Sequence, residues 1–92
     1  MKKEKILIIE DEYSIRTNLF ELLTNYGYQV YTTADGREGI SLAEEIKPSL
    51  IICDIMMPGV DGYNVIEQIN NSNSSGIPFI FLPKTTVVWT VV

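Results

Sequence analysis

Ninety-two residues, 46% hydrophobic and 21% charged, make one small globular domain with no room for a second, and the balance is not that of a disordered segment. Twelve acidic against seven basic residues leave a net charge of −5, which argues against direct nucleic-acid binding, a task that needs a basic surface. The chain has no histidine, which excludes His-type zinc sites, Ser-His-Asp triads and histidine general bases within it.

The first element predicted is a strand. Ile6-Leu7-Ile8-Ile9 is a short continuous apolar run, as in a strand covered on both faces. With the lysines before it the run superficially resembles a signal peptide. It is only four residues long and stops at Glu10-Asp11-Glu12, too short for a leader or a membrane span. The lone Cys53 cannot form an internal disulfide and fits a reducing cytosol. A cytoplasmic protein that does not engage membranes is expected.

After the acids, Ile15, Leu19, Leu22, Leu23 and Tyr26 recur at helical spacing, with Ser14 or Asp11 as cap and Gly27 as stop. Tyr28 to Thr33 is β-branched and aromatic and predicts a second strand. Asp35 and Glu38 have the spacing of a capping box and open a helix carrying Ile40, Leu42, Ala43 and Ile46, which Pro48 ends. Leu50-Ile51-Ile52-Cys53 is a second fully apolar strand, closed by Asp54. A loop then leads to a helix with Val65, Ile66 and Ile69, and Ile77 to Leu82 predicts a fourth buried strand. The order βαβαβαβ with short connections specifies an α/β fold, a parallel sheet with helices on both faces.

In such sheets ligands bind beyond the carboxyl ends of the strands, near the switch in strand order. The first strand ends at Glu10-Asp11-Glu12 and the third at Asp54. If the two strands are neighbours, three or four carboxylates converge on one rim. Two carboxylates about 4 Å apart repel by roughly 4 kcal/mol at an effective dielectric near 20, so a fold gathers them cheaply only around a cation. Oxygen donors without His or Cys point to Mg²⁺, and an Asp beside Mg²⁺ can take up a phosphoryl group as an acyl phosphate. Taken alone, Glu12 reads as a solvated loop or cap residue, and Cys53 as a small buried residue on a strand.

Residues 5–82 resemble the receiver domain family of two-component response regulators, with a flavodoxin-like (CheY-like), doubly wound fold of strand order 2-1-3-4. The resemblance rests on Glu10-Asp11-Glu12 after the first strand and on the run from Asp54 through Pro58 to Gly62. It implies that Asp54 is the phosphoacceptor, served by a histidine kinase or phosphotransfer protein. It also implies that Asp11 and Asp54 ligate Mg²⁺ directly, that Met56 adds its backbone carbonyl and that Glu10 acts through water. Pro58 and Gly62 would shape the loop, Pro by its fixed φ and Gly by allowing a close turn.

The resemblance is expected to weaken after Leu82. Where the family carries a Ser or Thr at the end of the fourth strand, this chain has Pro83, and Lys84 is out of place for the family's lysine. The fourth helix, fifth strand and fifth helix have no counterpart, so switching is expected to be impaired. Residues 1–82 are expected to form a partial receiver domain, and 83–92 an atypical, β-prone tail with Val87, Val88, Trp89, Val91 and Val92. A homodimer through the tail or an exposed sheet edge is expected. Two alternatives to a phosphoacceptor are a non-phosphorylated interaction or oligomerising module on the same scaffold, and a Mg²⁺-dependent phosphohydrolase with an Asp nucleophile.

Overall fold

The computed structural model describes residues 2–57, 59–72 and 76–82. Its elements are β1 (Lys5–Ile9), α1 (Tyr13–Asn25), β2 (Gln29–Thr33), α2 (Gly36–Ile46), β3 (Leu50–Asp54), α3 (Gly62–Asn70) and β4 (Phe79–Leu82). The four strands are parallel, in the order β2-β1-β3-β4. The chain leaves β1 for β2 on one side and crosses back to β3 on the other. The switch in strand order therefore falls between β1 and β3, where α/β sheets bind ligands.

Side-chain alternation along the two central strands divides the core in two. Leu7, Ile9, Ile51 and Cys53 face α2 and α3 and pack with Ala43, Val65, Ile69 and Met57. Ile6, Ile8 and Ile52 point to the opposite face, where Leu19 and Leu23 of α1 lie over them. Both apolar runs are thus covered on two faces, which is why they lack the polar alternation of a one-sided strand.

Helix α2 opens on Asp35, whose side chain accepts the Arg37 backbone N–H at 3.2 Å. The second half of the expected capping box is altered. Glu38 accepts the Thr33 hydroxyl, and Thr33 Oγ1 in turn accepts the Asp35 backbone N–H at 3.1 Å. The buried Thr33 thus stands between the two box partners. Lys47 closes the helix in the left-handed region at φ 49°, just ahead of Pro48.

Three local expectations are corrected. Helix α1 is capped by Glu12 rather than Ser14 or Asp11, and with no side-chain hydrogen bond. Leu22 and Tyr26, on the expected apolar stripe, are exposed, Tyr26 by 73%. Helix α1 packs on the sheet through Leu19 and Leu23, so the stripe it buries is narrower than its sequence periodicity. β4 starts at Phe79 rather than Ile77 and is a half-covered strand, with Ile80 48% exposed. Among the described residues β4 pairs only with β3. Pro58, Pro83, Lys84 and the tail 83–92 lie outside the described residues.

Candidate acidic phosphoacceptor site

The parallel register sets Ile9 opposite both Cys53 and Thr33. One residue further, Glu10 extends the ladder by donating its N–H to the Thr33 carbonyl at 3.0 Å, which carries it to the level of Asp54. Asp54 shares the side-chain direction of Ile52, and Glu10 continues the alternation of Ile6 and Ile8. Both acids therefore rise from the sheet on the α1 side. Asp11 follows in the loop into α1. One carboxylate oxygen from each of Glu10, Asp11 and Asp54 lies within 4.8 Å of the others.

The cluster is largely inside the protein, with Glu10 at 1% and Asp54 at 0% exposure and Asp11 half-buried. Burial, together with a hydrogen bond and the negative charge from Asp54, pushes the Glu10 carboxyl up to about 7, although the Glu12 N–H works the other way. A hydrogen bond between two carboxyl groups needs a proton on one of them. Burial and the neighbouring carboxyl groups thus both favour the neutral form of Glu10.

Backbone donors orient the acids. The Glu12 N–H donates to Glu10 Oε2 at 2.9 Å, and the Met56 N–H donates to Asp54 Oδ1 at 3.1 Å. The Met56 side chain is 66% exposed, whereas Met57 turns into the core. Glu12 itself is exposed and outside the cluster. The Cys53 thiol beside Asp54 is fully buried and pushed up to about 12, by burial first and by Asp54, Glu10 and Asp61 after it.

Gly62 starts α3 hard against the end of β3. Its N–H donates to the Ile55 carbonyl at 2.7 Å. A Cβ at this position would stand 2.5 Å from the Asp54 carbonyl oxygen and 2.9 Å from Ile55 Cα. Only a residue without a side chain lets the helix approach the end of β3 so closely. Asp61 caps the same helix by accepting the Asn64 N–H at 2.9 Å.

Arg16 is the residue at this rim that sequence reasoning passed over. Its Nη1 donates to the Glu10 carbonyl at 2.9 Å and to the Asp11 carbonyl at 3.4 Å. The available signal was a cation in the opening turns of a helix, where the helix dipole disfavours it.

With this geometry the family is decided by comparison with known proteins. The model of the response regulator receiver domain matches residues 6–89. The chain belongs to the response regulator receiver family. The match continues past Leu82, into the stretch whose sequence departs most from the family's pattern. The ycf27 protein of Porphyridium aerugineum is 44% identical over 82 residues, which are 89% of this chain and 33% of that protein. The chain thus spans about a third of the length of the curated relatives it matches first. Among solved structures, the Vibrio cholerae chemotaxis protein CheY4 superposes with a TM-score of 0.87 at 30% identity, covering 92% of this chain and 72% of that one. The receiver domain of a sensor histidine kinase from Pseudomonas aeruginosa superposes at 0.81 and 30% identity, covering 87% and 66%, and holds a magnesium ion in its active-site cleft. The flavodoxin-like fold and its 2-1-3-4 order are those of the receiver domains.

Proposed function

We propose that Asp54 accepts a phosphoryl group from a phosphohistidine of a histidine kinase or phosphotransfer protein, at a site that takes Mg²⁺. The observation that carries this is the convergence of Glu10, Asp11 and Asp54 at the carboxyl ends of the adjacent strands β1 and β3.

The donor set fits the cation. All three side chains offer hard carboxylate oxygens, the chain has no histidine, and the neighbouring Cys53 thiol is buried and held neutral, which disfavours a soft metal. Asp11 and Asp54 would ligate directly, Met56 through its backbone carbonyl and Glu10 through water. When bound, the ion neutralises charge on the phosphoryl oxygens.

The chain's own groups supply the rest. A carboxylate oxygen of Asp54 forms the new bond to phosphorus while the P–N bond of the donor breaks, and that electron pair returns to the imidazole nitrogen. The Met56 N–H on Oδ1 fixes the rotation of the carboxylate, so it meets the donor in one orientation. Gly62 keeps α3 close behind the Asp54 carbonyl, and Pro58 is assigned the other loop-shaping role.

The setting we assign is cytoplasmic. The net charge of −5 disfavours nucleic acid as a partner, and among the described residues no helix is long and apolar enough to cross a membrane. The side of β4 that pairs with no strand among the described residues, beside exposed Ile80, is assigned to a two-fold pair of chains. Light scattering should give twice the chain mass, and a monomer at high concentration would remove that assembly.

Intact-mass measurement after incubation with phosphoramidate and Mg²⁺ tests the main proposal. One phosphoryl group should be gained by the parent chain and none by Asp54→Asn or by the parent in EDTA. An unmodified parent chain would overturn the proposal.

A further inference from the structure

Helix α1 begins against the usual rules. Its N-cap, Glu12, makes no side-chain hydrogen bond, its first turn carries no acid, and Arg16 sits where the dipole repels a cation. A local conflict of this kind is expected where a residue serves a site rather than the helix.

The Arg16 guanidinium folds back past the helix start to the carbonyls of Glu10 and Asp11. The Tyr13 ring lies beneath it, 5.5 Å from guanidinium carbon to ring centroid, which limits its swing. The Arg16 N–H meanwhile donates to the Glu12 carbonyl at 3.0 Å. One residue thus ties three consecutive peptide units, 10 to 12, to the first turn of α1. Fixing the carbonyls of Glu10 and Asp11 fixes their peptide planes, and with them the direction in which each carboxylate leaves the backbone. The Glu12 N–H, in the middle of this clamp, holds Glu10 Oε2.

We propose that Arg16 is a positioning residue for the acidic site, clamping the β1–α1 loop so that the Glu10 and Asp11 carboxylates face Asp54. The clamp rests on the metal reading above for its consequence in Mg²⁺ binding. Groups that orient ligands from behind commonly change metal affinity by about 10- to 100-fold when removed.

The sign of the effect separates positioning from charge. Removing a cation near the site would by electrostatics alone tighten Mg²⁺ binding, whereas loss of the clamp weakens it. MgCl₂ titrations followed by amide NMR shifts should give the Arg16→Met variant a dissociation constant about tenfold or more above the parent's. Arg16→Lys keeps the charge but not the planar, long-reaching fork, and should also bind more weakly than the parent. Parent-like or tighter binding in either variant overturns the clamp. Should the Met variant fail to fold in an EDTA melt, the Lys variant decides. A second readout needs no metal: exchange of the Glu12 amide in EDTA should quicken about tenfold in Arg16→Met, beyond any change in the amides of β3. If the parent binds no Mg²⁺ the metal reading fails by itself, and the Glu12 amide still decides the clamp. Parent-like protection of that amide overturns it.

Discussion

Replacing Asp54 by Asn should stabilise the metal-free protein, although it removes the residue on which function is proposed to depend. The carboxylates of Glu10, Asp11 and Asp54 approach within 4.8 Å of one another. At that separation two full charges repel by about 3.5 kcal/mol at an effective dielectric of 20. The Asp11–Asp54 pair counts in full when both are charged. The Glu10–Asp54 pair counts in part, because Glu10 near pH 7 holds a proton for part of the time. An amide at position 54 removes both repulsions, still offers Oδ1 to the Met56 N–H, and can donate to the carboxyl of Glu10. Asp11 is half-buried, so solvent screens its share, and a net gain of about 2 kcal/mol is expected. For a domain of this size that raises the melting midpoint by roughly 8–16 °C. Circular dichroism melts in EDTA at pH 7.5 measure it directly. Mg²⁺ at about 100 times its dissociation constant should return about 2.7 kcal/mol to the parent and little to the variant, closing or reversing the gap. An Asp54→Asn variant that melts at or below the parent in EDTA would refute the premise that these acids repel one another in the folded state.

The geometry supports three further expectations. Gly62→Ala should cost about 2–3 kcal/mol in thermal melts, because its new Cβ meets backbone atoms of Asp54 and Ile55 that cannot swing aside; a midpoint unchanged from the parent would show that α3 shifts freely. The Glu10 carboxyl is raised to about 7 in the fold from an ordinary 4.5, so its contribution to stability is complete below about pH 4.5 and is lost as pH rises through 7. Urea melts in EDTA should therefore show less stability from Glu10 at pH 8 than at pH 5, a difference absent in Glu10→Gln, while Mg²⁺ affinity rises over the same window. The Cys53 thiol, fully buried and raised to about 12, should resist iodoacetamide at pH 8 in native protein and react promptly in urea; fast native alkylation would contradict the packing around β3.

How far the sequence reaches is visible element by element. The apolar runs Ile6 to Ile9 and Leu50 to Cys53, the stop at Gly27 and the cap at Asp35 are local signals, each set by a residue's own backbone preferences and by neighbours within a turn or two. Together with the handedness of crossovers they were enough for the order of elements and the parallel sheet, whereas the 2-1-3-4 order came from the resemblance to the receiver family. They also placed acids at the ends of two strands. Local pattern could not set how much of α1 is buried, because that depends on what lies opposite: Leu22 and Tyr26 keep helical spacing yet face solvent, and Ile80 sits in an apolar run on an edge strand. Nor could it join Glu10 and Asp11 to Asp54. That step belongs to the register of β1 against β3, which sets distant residues side by side because the sheet buries both strands. The close approach of Gly62 to the Asp54 carbonyl, the raised Glu10 carboxyl and the turn of Arg16 back onto two carbonyls arise only once those strands are adjacent. The residue types for the proposed phosphoacceptor site were written along the chain, but the distances that make carboxylates repel exist only in the folded sheet.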